Sequence, residues 1–164
     1  MADRPAIVST VFYRDPIAAM KWLERVFGFE TTTLVTDAEG RVGHAEMAFR
    51  GAPVGVSGEW DGQWDGATLL GGAQMQSPLS LDGRGTQFLR VEIADGIDAH
   101  CERARAAGAR ITAEPQTQFY GARTYRALDL EGHVWNFNQT VRDVSGAEME
   151  AASGLKIRTS LKGV

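Results

Sequence analysis

The sequence predicts an α+β fold in which two tandem βαβββ modules form a curved mixed sheet around a groove. A set of residues that start and end a helix recurs 80 positions later, with Asp15, Ile17, Ala19 and Gly28 returning as Asp95, Ile97, Ala99 and Gly108. The order of strand and helix patterns also repeats. Because a four-stranded sheet with one helix cannot bury both of its faces, two modules would cover one face with helices and leave a groove on the other.

The first module begins with a β-branched and aromatic run at 7–13, which predicts a strand. Asp15 is a helix N-cap with Pro16 at the first helical position, and Gly28 ends the helix after apolar residues at helical spacing. Three further strands are predicted at 29–36, 42–49 and 54–58, separated by turns at 37–40 and 51–53.

The second module repeats this order. A strand at 86–93 leads to a helix that opens at Asp95 and ends at Gly108. Further strands are predicted at 109–113, 123–128 and 133–139, with a loop at 115–121 and a turn at 129–132.

We therefore expect one domain at 1–143 with modules at about 6–58 and 86–140. Residues 59–85 join the modules, and their six glycines and two tryptophans predict a long loop or a partly ordered arm. Residues 144–164 are expected to form a polar tail with a short helix at 146–152.

Composition excludes several classes of protein. The 164 residues carry a net charge of −4, so a nucleic-acid binder or a protein of anionic membrane surfaces is not expected. No apolar run approaches the ~20 residues that span a bilayer, and residues 1–10 do not resemble a signal peptide. Cys101 is the single cysteine, which excludes an internal disulfide. We expect a cytoplasmic protein, with Cys101 buried or inert in its helix.

Three stretches of the chain resemble a known family. The segment RDPIAAMKWLERVFGFE is similar to the first-module signature of the vicinal oxygen chelate superfamily, of glyoxalase and bleomycin-resistance type. The segments GRVGHAEMAFRGAPVGVS and YGARTYRALDLEGHVWNF resemble its PhnB-like branch. The resemblance covers about residues 6–140 and implies a homodimer in which a second subunit completes or covers the grooves. The superfamily hosts isomerases, dioxygenases, thiol transferases and drug-binding proteins, so the fold alone does not assign a function.

The resemblance also implies where a metal would bind, through His, Gln or Glu on the first and last strands of each module. The corresponding positions here are Val8, Phe88 and Asn136. Valine and phenylalanine cannot coordinate a metal, and asparagine is a weak neutral donor. We therefore expect no metal and no cofactor at these positions.

One other pair of residues can carry chemistry. His44 and Glu46 are two positions apart on a predicted strand, so both point to one face. They could begin a metal site completed by His133, Glu59 or Glu92, or act as a catalytic acid–base pair. The alternative is a polar pair on a strand surface.

Alternation along the strands places candidate ligand-binding side chains on the inner face of the groove. These are Thr10 and Phe12 on the first strand, Phe88, Arg90 and Glu92 on the fifth, and Val134, Asn136 and Asn138 on the last. Trp60 and Trp64 would fold over the groove, or else pack at a dimer interface or on the base of their own loop. Tyr125 would border the mouth or pack across strands. Such a mixture suits a medium-sized polar and aromatic ligand.

Three functions remain open. The first is a metal-independent small-molecule-binding protein of bleomycin-resistance or glyoxalase-like type. The second is a divergent glyoxalase-like lyase or isomerase that uses His44 and Glu46. The third is a non-catalytic interaction module whose loop at 59–85 serves a partner protein.

Overall fold

The computed structural model describes residues 5–60 and 73–161, and its elements form two copies of one unit. The first copy consists of β1 (Thr10–Tyr13), α1 (Pro16–Phe27), β2 (Glu30–Thr36), β3 (Val42–Phe49) and β4 (Ala52–Gly58). The second consists of β5 (Phe88–Glu92), α2 (Ile97–Ala106), β6 (Arg110–Thr117), β7 (Ala122–Leu128) and β8 (Val134–Thr140), followed by α3 (Gly146–Ser153). The predicted α+β fold of two tandem modules is confirmed.

Each module has its own four-stranded sheet, with the strand orders β1-β4-β3-β2 and β5-β8-β7-β6. The first strand of each module pairs in parallel with the last, and the other pairs are antiparallel. Thr10 lies opposite Gly55 in the first sheet, and Phe88 lies opposite Val134 in the second. The edge strands are therefore β1 and β2 in the first sheet and β5 and β6 in the second.

The helix α1 begins and ends where the sequence predicts. The Asp15 carboxylate accepts a hydrogen bond from the Ala18 amide at 2.9 Å, and Pro16 occupies the first turn. Gly28 follows in the left-handed conformation, with φ of 78°, and its amide bonds back to the last turn. No helix in the two described ranges is long and apolar enough to cross a membrane.

The start of α2 differs from the prediction. Gly96, with φ of 69°, is the N-cap and makes no side-chain capping bond, so Asp95 does not open this helix. The Asp95 side chain points into solvent with 91% of its surface exposed. The repeat of Asp15 at Asp95 therefore preserves the position of the helix but not the capping bond.

Strand boundaries also differ from the prediction at several places. β1 starts at Thr10 rather than at residue 7, because its pairing with β4 begins at Thr10, and Ile7 before it is 88% exposed. β4 begins at Ala52, two positions earlier than predicted. Pro115 was expected in a loop but lies within β6. A proline is tolerated there because β6 is an edge strand, where a missing amide need not break a ladder bond.

The two modules share one hydrophobic core between the sheets and the helices. Phe27 at the end of α1 packs edge-on against Phe137 of β8, with ring centroids 4.9 Å apart. His100 of α2 adds a polar link, since its Nε2 lies 3.1 Å from the Phe27 carbonyl oxygen and its Nδ1 lies 2.6 Å from the Tyr125 hydroxyl. The modules are thus joined through the helix side of both sheets.

The segment between the modules is ordered at its described ends. Trp60 and Met75 exchange two backbone hydrogen bonds, of 2.8 and 3.1 Å. The Glu59 carboxylate accepts from the Ser77 amide at 2.9 Å, just before a 3-10 helix at Pro78–Leu81. The long loop predicted at 59–85 is therefore held by hydrogen bonds between its two described ends, near Trp60 and near Met75. Trp64 lies outside the described residues.

Candidate functional site

The face of the second sheet that points away from α2, called here the open face, carries most of the predicted ligand-binding side chains. Leu89 and Val91 of β5 are buried against the core, so Phe88, Arg90 and Glu92 project to the other side. The alternation expected from the sequence is thus the one observed on this strand.

Three cross-strand rows make up this open face. Cross-strand partners project to the same side of a sheet, so each row is defined by its register. The apolar row is Phe88, Val134 and Leu128, the arginine row is Arg90, Asn136 and Arg126, and the third row is Glu92, Asn138 and Thr124.

A chain of side-chain hydrogen bonds links the second and third rows. Arg126 Nε donates to Asn136 Oδ1 at 3.3 Å, and Asn136 Nδ2 donates to Asn138 Oδ1 at 3.0 Å. Asn138 Nδ2 lies 3.5 Å from Glu92 Oε1, which also accepts from Arg90 Nε at 2.6 Å. Both asparagines are buried beneath the charged side chains. These bonds hold the polar groups in fixed orientations, which a binding surface requires.

Sequence reasoning missed Arg126 in this arrangement. Its only signal is position, since Arg126 follows the buried Tyr125 and so projects to the face opposite the core. That signal can be used only once the register of β7 against β8 is known, and local sequence does not supply this register.

The open face of the first sheet carries the other predicted residues. Thr10 covers Gly55 so closely that a Cβ at Gly55 would overlap the Thr10 hydroxyl. Phe12 meets Trp60 edge-to-face, with ring centroids 6.0 Å apart. Trp60 thus packs over the end of β1.

His44 and Glu46 lie together on β3 of the first sheet. His44 Nε2 is 3.6 Å from Glu46 Oε1, and the His44 side chain is more than half exposed. Within residues 5–60 and 73–161, no group of three or more His, Cys, Asp or Glu side chains is placed to share a metal ion. The third ligands considered above, His133, Glu59 and Glu92, are therefore not gathered around this pair.

Two clefts border these surfaces. One, of about 500 Å³, lies where β5 faces the start of β4 and is lined by Phe88, Arg90, Glu92, Pro53, Phe29 and Trp135. The other, of about 690 Å³, lies at the end of the first sheet beside Trp60, Arg14 and Arg41. The first cleft contains the three β5 residues that the sequence assigns to ligand binding.

Tyr125 does not border a groove, so its prediction as a ligand-binding residue was wrong, and the alternative of cross-strand packing is the one observed. It is fully buried, stacks on Phe137 at 4.8 Å, and bonds to His100 through its hydroxyl. Burial raises the pKa of this hydroxyl far above its ordinary value. The reason for the misplacement is again register, because Tyr125 lies opposite Phe137 and both face the core.

A buried carboxylate between the modules was also missed. Asp129, in the β7–β8 turn, accepts hydrogen bonds from the Tyr13 hydroxyl at 2.7 Å and from Trp135 Nε1 at 3.0 Å. It also accepts from the amides of Glu131 and His133, at 3.0 Å each. The Asp129 carboxylate therefore binds donors from both modules. The sequence identifies 129–132 only as a turn, and turn carboxylates are usually solvated.

Glu131 extends this contact, which we call the clasp and define as Asp129 and Glu131 with the groups they bind in the first module. Its carboxylate accepts from the amides of Arg14 and Asp15 at 2.8 and 3.0 Å, at the entrance to α1. The turn of the second module thus secures the start of the first helix.

The clasp also shifts the ionisation of its members. Burial raises the pKa of the Asp129 carboxyl, but the hydrogen bonds from His133, Trp135 and Tyr13 outweigh burial and leave the pKa below its usual value. For Tyr13, burial and the neighbouring Asp129 charge both raise the pKa of the hydroxyl. Asp129 is therefore an anion and Tyr13 a neutral donor at neutral pH.

Comparison with known proteins places the fold. An uncharacterized protein of Mycobacterium bovis, Mb0911c, is 26% identical over 148 residues, which cover 90% of this chain and 91% of that protein. The crystal structure of TioX from Micromonospora sp. ML1 superposes with a TM-score of 0.61 at 29% identity, covering 86% of this chain and all of that one.

Two less similar structures share the fold. A glyoxalase/bleomycin resistance protein/dioxygenase from Nocardioides has a TM-score of 0.61 at 20% identity over 88% of this chain and 89% of that one. The fosfomycin resistance protein FosX from Listeria monocytogenes has a TM-score of 0.55 at 15% identity over 90% and 98%. A family model matches residues 6–137. The chain belongs to the glyoxalase/bleomycin resistance protein/dioxygenase superfamily.

Proposed function

We propose that the protein binds a small organic molecule on the open face of the second sheet, without the help of a metal. One observation carries this proposal. Phe88, 62% exposed, and the paired Arg90 and Glu92 line a cleft of about 500 Å³. From Glu92 the oriented polar network continues across the open face through Asn138 and Asn136. Ligand sites typically combine apolar walls with a few fixed polar groups in a cavity of this size.

The side chains at the expected metal positions support binding without a metal. Val8 lies before β1, and Phe88 is an aromatic ring. Asn136 is a neutral amide whose oxygen and nitrogen are both engaged in hydrogen bonds to neighbouring side chains. Transition metals in proteins favour imidazole, thiolate and carboxylate ligands, none of which these three positions supply.

A neutral aromatic probe, 2-naphthamide, tests the proposal by equilibrium dialysis. We expect saturable binding that Phe88→Ala weakens by about three- to tenfold, the range for loss of one aromatic contact. Phe119→Ala is the matched control, because Phe119 is a partly exposed ring in the β6–β7 loop, at the opposite end of the sheet from Phe88. Equal affinity in both variants, or no binding of this probe or of an anionic analogue of the same shape, would contradict the proposed site.

A second candidate is a lyase or isomerase centred on His44 and Glu46. The 3.6 Å separation of their side chains on the outward face of β3 favours it, since an imidazole and a carboxylate within reach can transfer protons. Turnover of a hemithioacetal of a 2-oxoaldehyde, lost in both His44→Gln and Glu46→Gln, would support this candidate. Turnover unchanged by both substitutions would exclude this pair as the catalytic groups.

We further propose a cytoplasmic homodimer of the PhnB-like branch. Ile7 and Val8, just before β1, are apolar side chains with 88% and 44% of their surface exposed in one chain. The adjacent Ser9 hydroxyl lies 3.3 Å from the Gln87 amide oxygen of the second module, so this surface is near the junction of the modules. A second copy would cover such surface. Light scattering after size exclusion should give about twice the 17.8 kDa mass of one chain, and a monomer would contradict the proposal.

A further inference from the structure

Resting on the proposed binding site, we infer that its ligand is an anion, a carboxylate or a phosphate attached to a flat apolar group. The open face has three relevant features: its charge, its free hydrogen-bond donors and the order of its rows. Each of these is a property of the second sheet alone.

The open face is cationic although the chain is acidic. Arg90 and Arg126 lie on either side of Asn136 in one cross-strand row. Arg110 of β6 lies opposite Leu128, so its side chain projects to the same face, next to the end of the apolar row. Glu92 is the acidic member of the three rows. Three guanidinium groups and one carboxylate thus share this face, whereas the whole chain carries a net charge of −4.

The arginines retain donors for a ligand. Arg90 uses Nε to bind Glu92, and Arg126 uses Nε to bind Asn136. Within residues 5–60 and 73–161, both terminal nitrogens of each guanidinium therefore remain available as donors. Among the residues that the structure describes, neither Arg126 nor Arg110 forms an ion pair with a carboxylate. A guanidinium with open terminal donors matches the geometry of a carboxylate or phosphate.

The spacing of the rows indicates where the flat apolar group of the ligand would lie relative to its anionic group. Arg90 and Arg126 flank Asn136 across two strand spacings, so their Cα atoms are about 10 Å apart and their long side chains can converge above the amide. The apolar row lies two residues along each strand, about 7 Å away. A ring system on Phe88 can therefore place an attached anionic group at the arginine row.

Three probes of one shape separate the possibilities: 2-naphthoate, 2-naphthyl phosphate and neutral 2-naphthamide. We expect at least one anion to bind the full-length protein about tenfold more tightly than the amide, with affinity that falls as salt is added. The anion that binds more tightly distinguishes a carboxylate ligand from a phosphate ligand.

Substitutions locate the effect. Arg126→Gln and Arg90→Gln should each weaken binding of the preferred anion by about tenfold and leave binding of 2-naphthamide nearly unchanged. Arg103→Gln is the matched control, because Arg103 is an exposed arginine on α2, on the other side of the sheet. All three variants replace exposed side chains, and thermal unfolding would verify that each remains folded.

The outcomes distinguish this inference from the proposed function. If 2-naphthamide binds as tightly as both anions and the arginine variants have no effect, the anion inference is wrong and the proposed binding site stands. If none of the three probes binds, both are overturned. Loss of anion affinity in Arg103→Gln as well would also overturn the inference, because the effect would then be one of net charge and not of this face.

Discussion

Replacing Asp129 with alanine should destabilise the protein more than any substitution on its surface. The substitution leaves the Tyr13 hydroxyl and the Trp135 indole N–H without their acceptor, and both side chains are almost completely buried. An unsatisfied buried donor costs about 1–3 kcal/mol, so these two groups alone predict a loss of about 4 kcal/mol in the free energy of unfolding. Domains of this kind have about 5–15 kcal/mol in total.

Urea unfolding at 25 °C, followed by circular dichroism and tryptophan fluorescence, measures this loss. Asp95→Ala is the control, because the Asp95 side chain is 91% exposed and its removal should change stability by less than about 0.5 kcal/mol. A loss below about 1 kcal/mol for Asp129→Ala would refute the reasoning, since the clasp would then not depend on this carboxylate.

A double-mutant cycle separates the hydrogen bond from general disruption. Tyr13→Phe alone should cost about 1 kcal/mol, because it removes one of several donors to Asp129. In the Asp129→Ala background the same change should cost nothing or should stabilise, because it removes a donor that has already lost its acceptor. Additive effects would show that the Tyr13 hydroxyl and Asp129 do not interact.

Three further predictions concern acid stability, thiol reactivity and backbone strain. The pKa of Asp129 in the folded protein lies below its unfolded value of about 3.9. The contribution of this carboxylate to the free energy of unfolding is therefore complete above a pH of about 3.9 and is lost as the pH falls through the folded pKa. The free energy of unfolding should thus fall less steeply in acid for Asp129→Asn than for the wild type. Cys101 is fully buried, and burial raises the pKa of its thiol, so a disulfide reagent at pH 8 should label it only after unfolding; complete labelling of native protein within minutes would contradict this. Gly121→Ala should lower the free energy of unfolding by more than about 2 kcal/mol, because Gly121 has φ of 85° and a Cβ there would overlap the Arg142 carbonyl oxygen. Gly28→Ala is the control and should cost about 1 kcal/mol, because the space around Gly28 is open. Equal losses in urea unfolding would argue against the overlap.

Local patterns predicted the parts of the fold that depend on neighbours in sequence. The limits of α1 follow from Asp15 and Gly28, whose side-chain and backbone preferences act within one turn. The repeat predicted two modules of the same element order. The pairing of β1 with β4 and of β5 with β8 joins segments more than 40 residues apart, and no local preference specifies it.

Alternation along a strand was sufficient to place some candidate residues on a face of the sheet, whereas others could be placed only from the strand register. Alternation placed Phe88, Arg90 and Glu92 on one face of β5. Tyr125 and Arg126 are neighbours on β7, and only pairing with β8 decides which of the two faces the core. Asp129 is buried because Tyr13, 116 positions away, lies against it. A turn that looks solvated in sequence therefore becomes the buried junction of the modules.

Ligand binding by protein stripped of metal is the most direct test of the central claim. We expect elemental analysis of the purified protein to find no stoichiometric transition metal, and 2-naphthamide to bind with the same dissociation constant before and after treatment with EDTA. One metal ion per chain that is lost in His44→Ala, together with loss of probe binding after chelation, would contradict a metal-independent site on the second sheet.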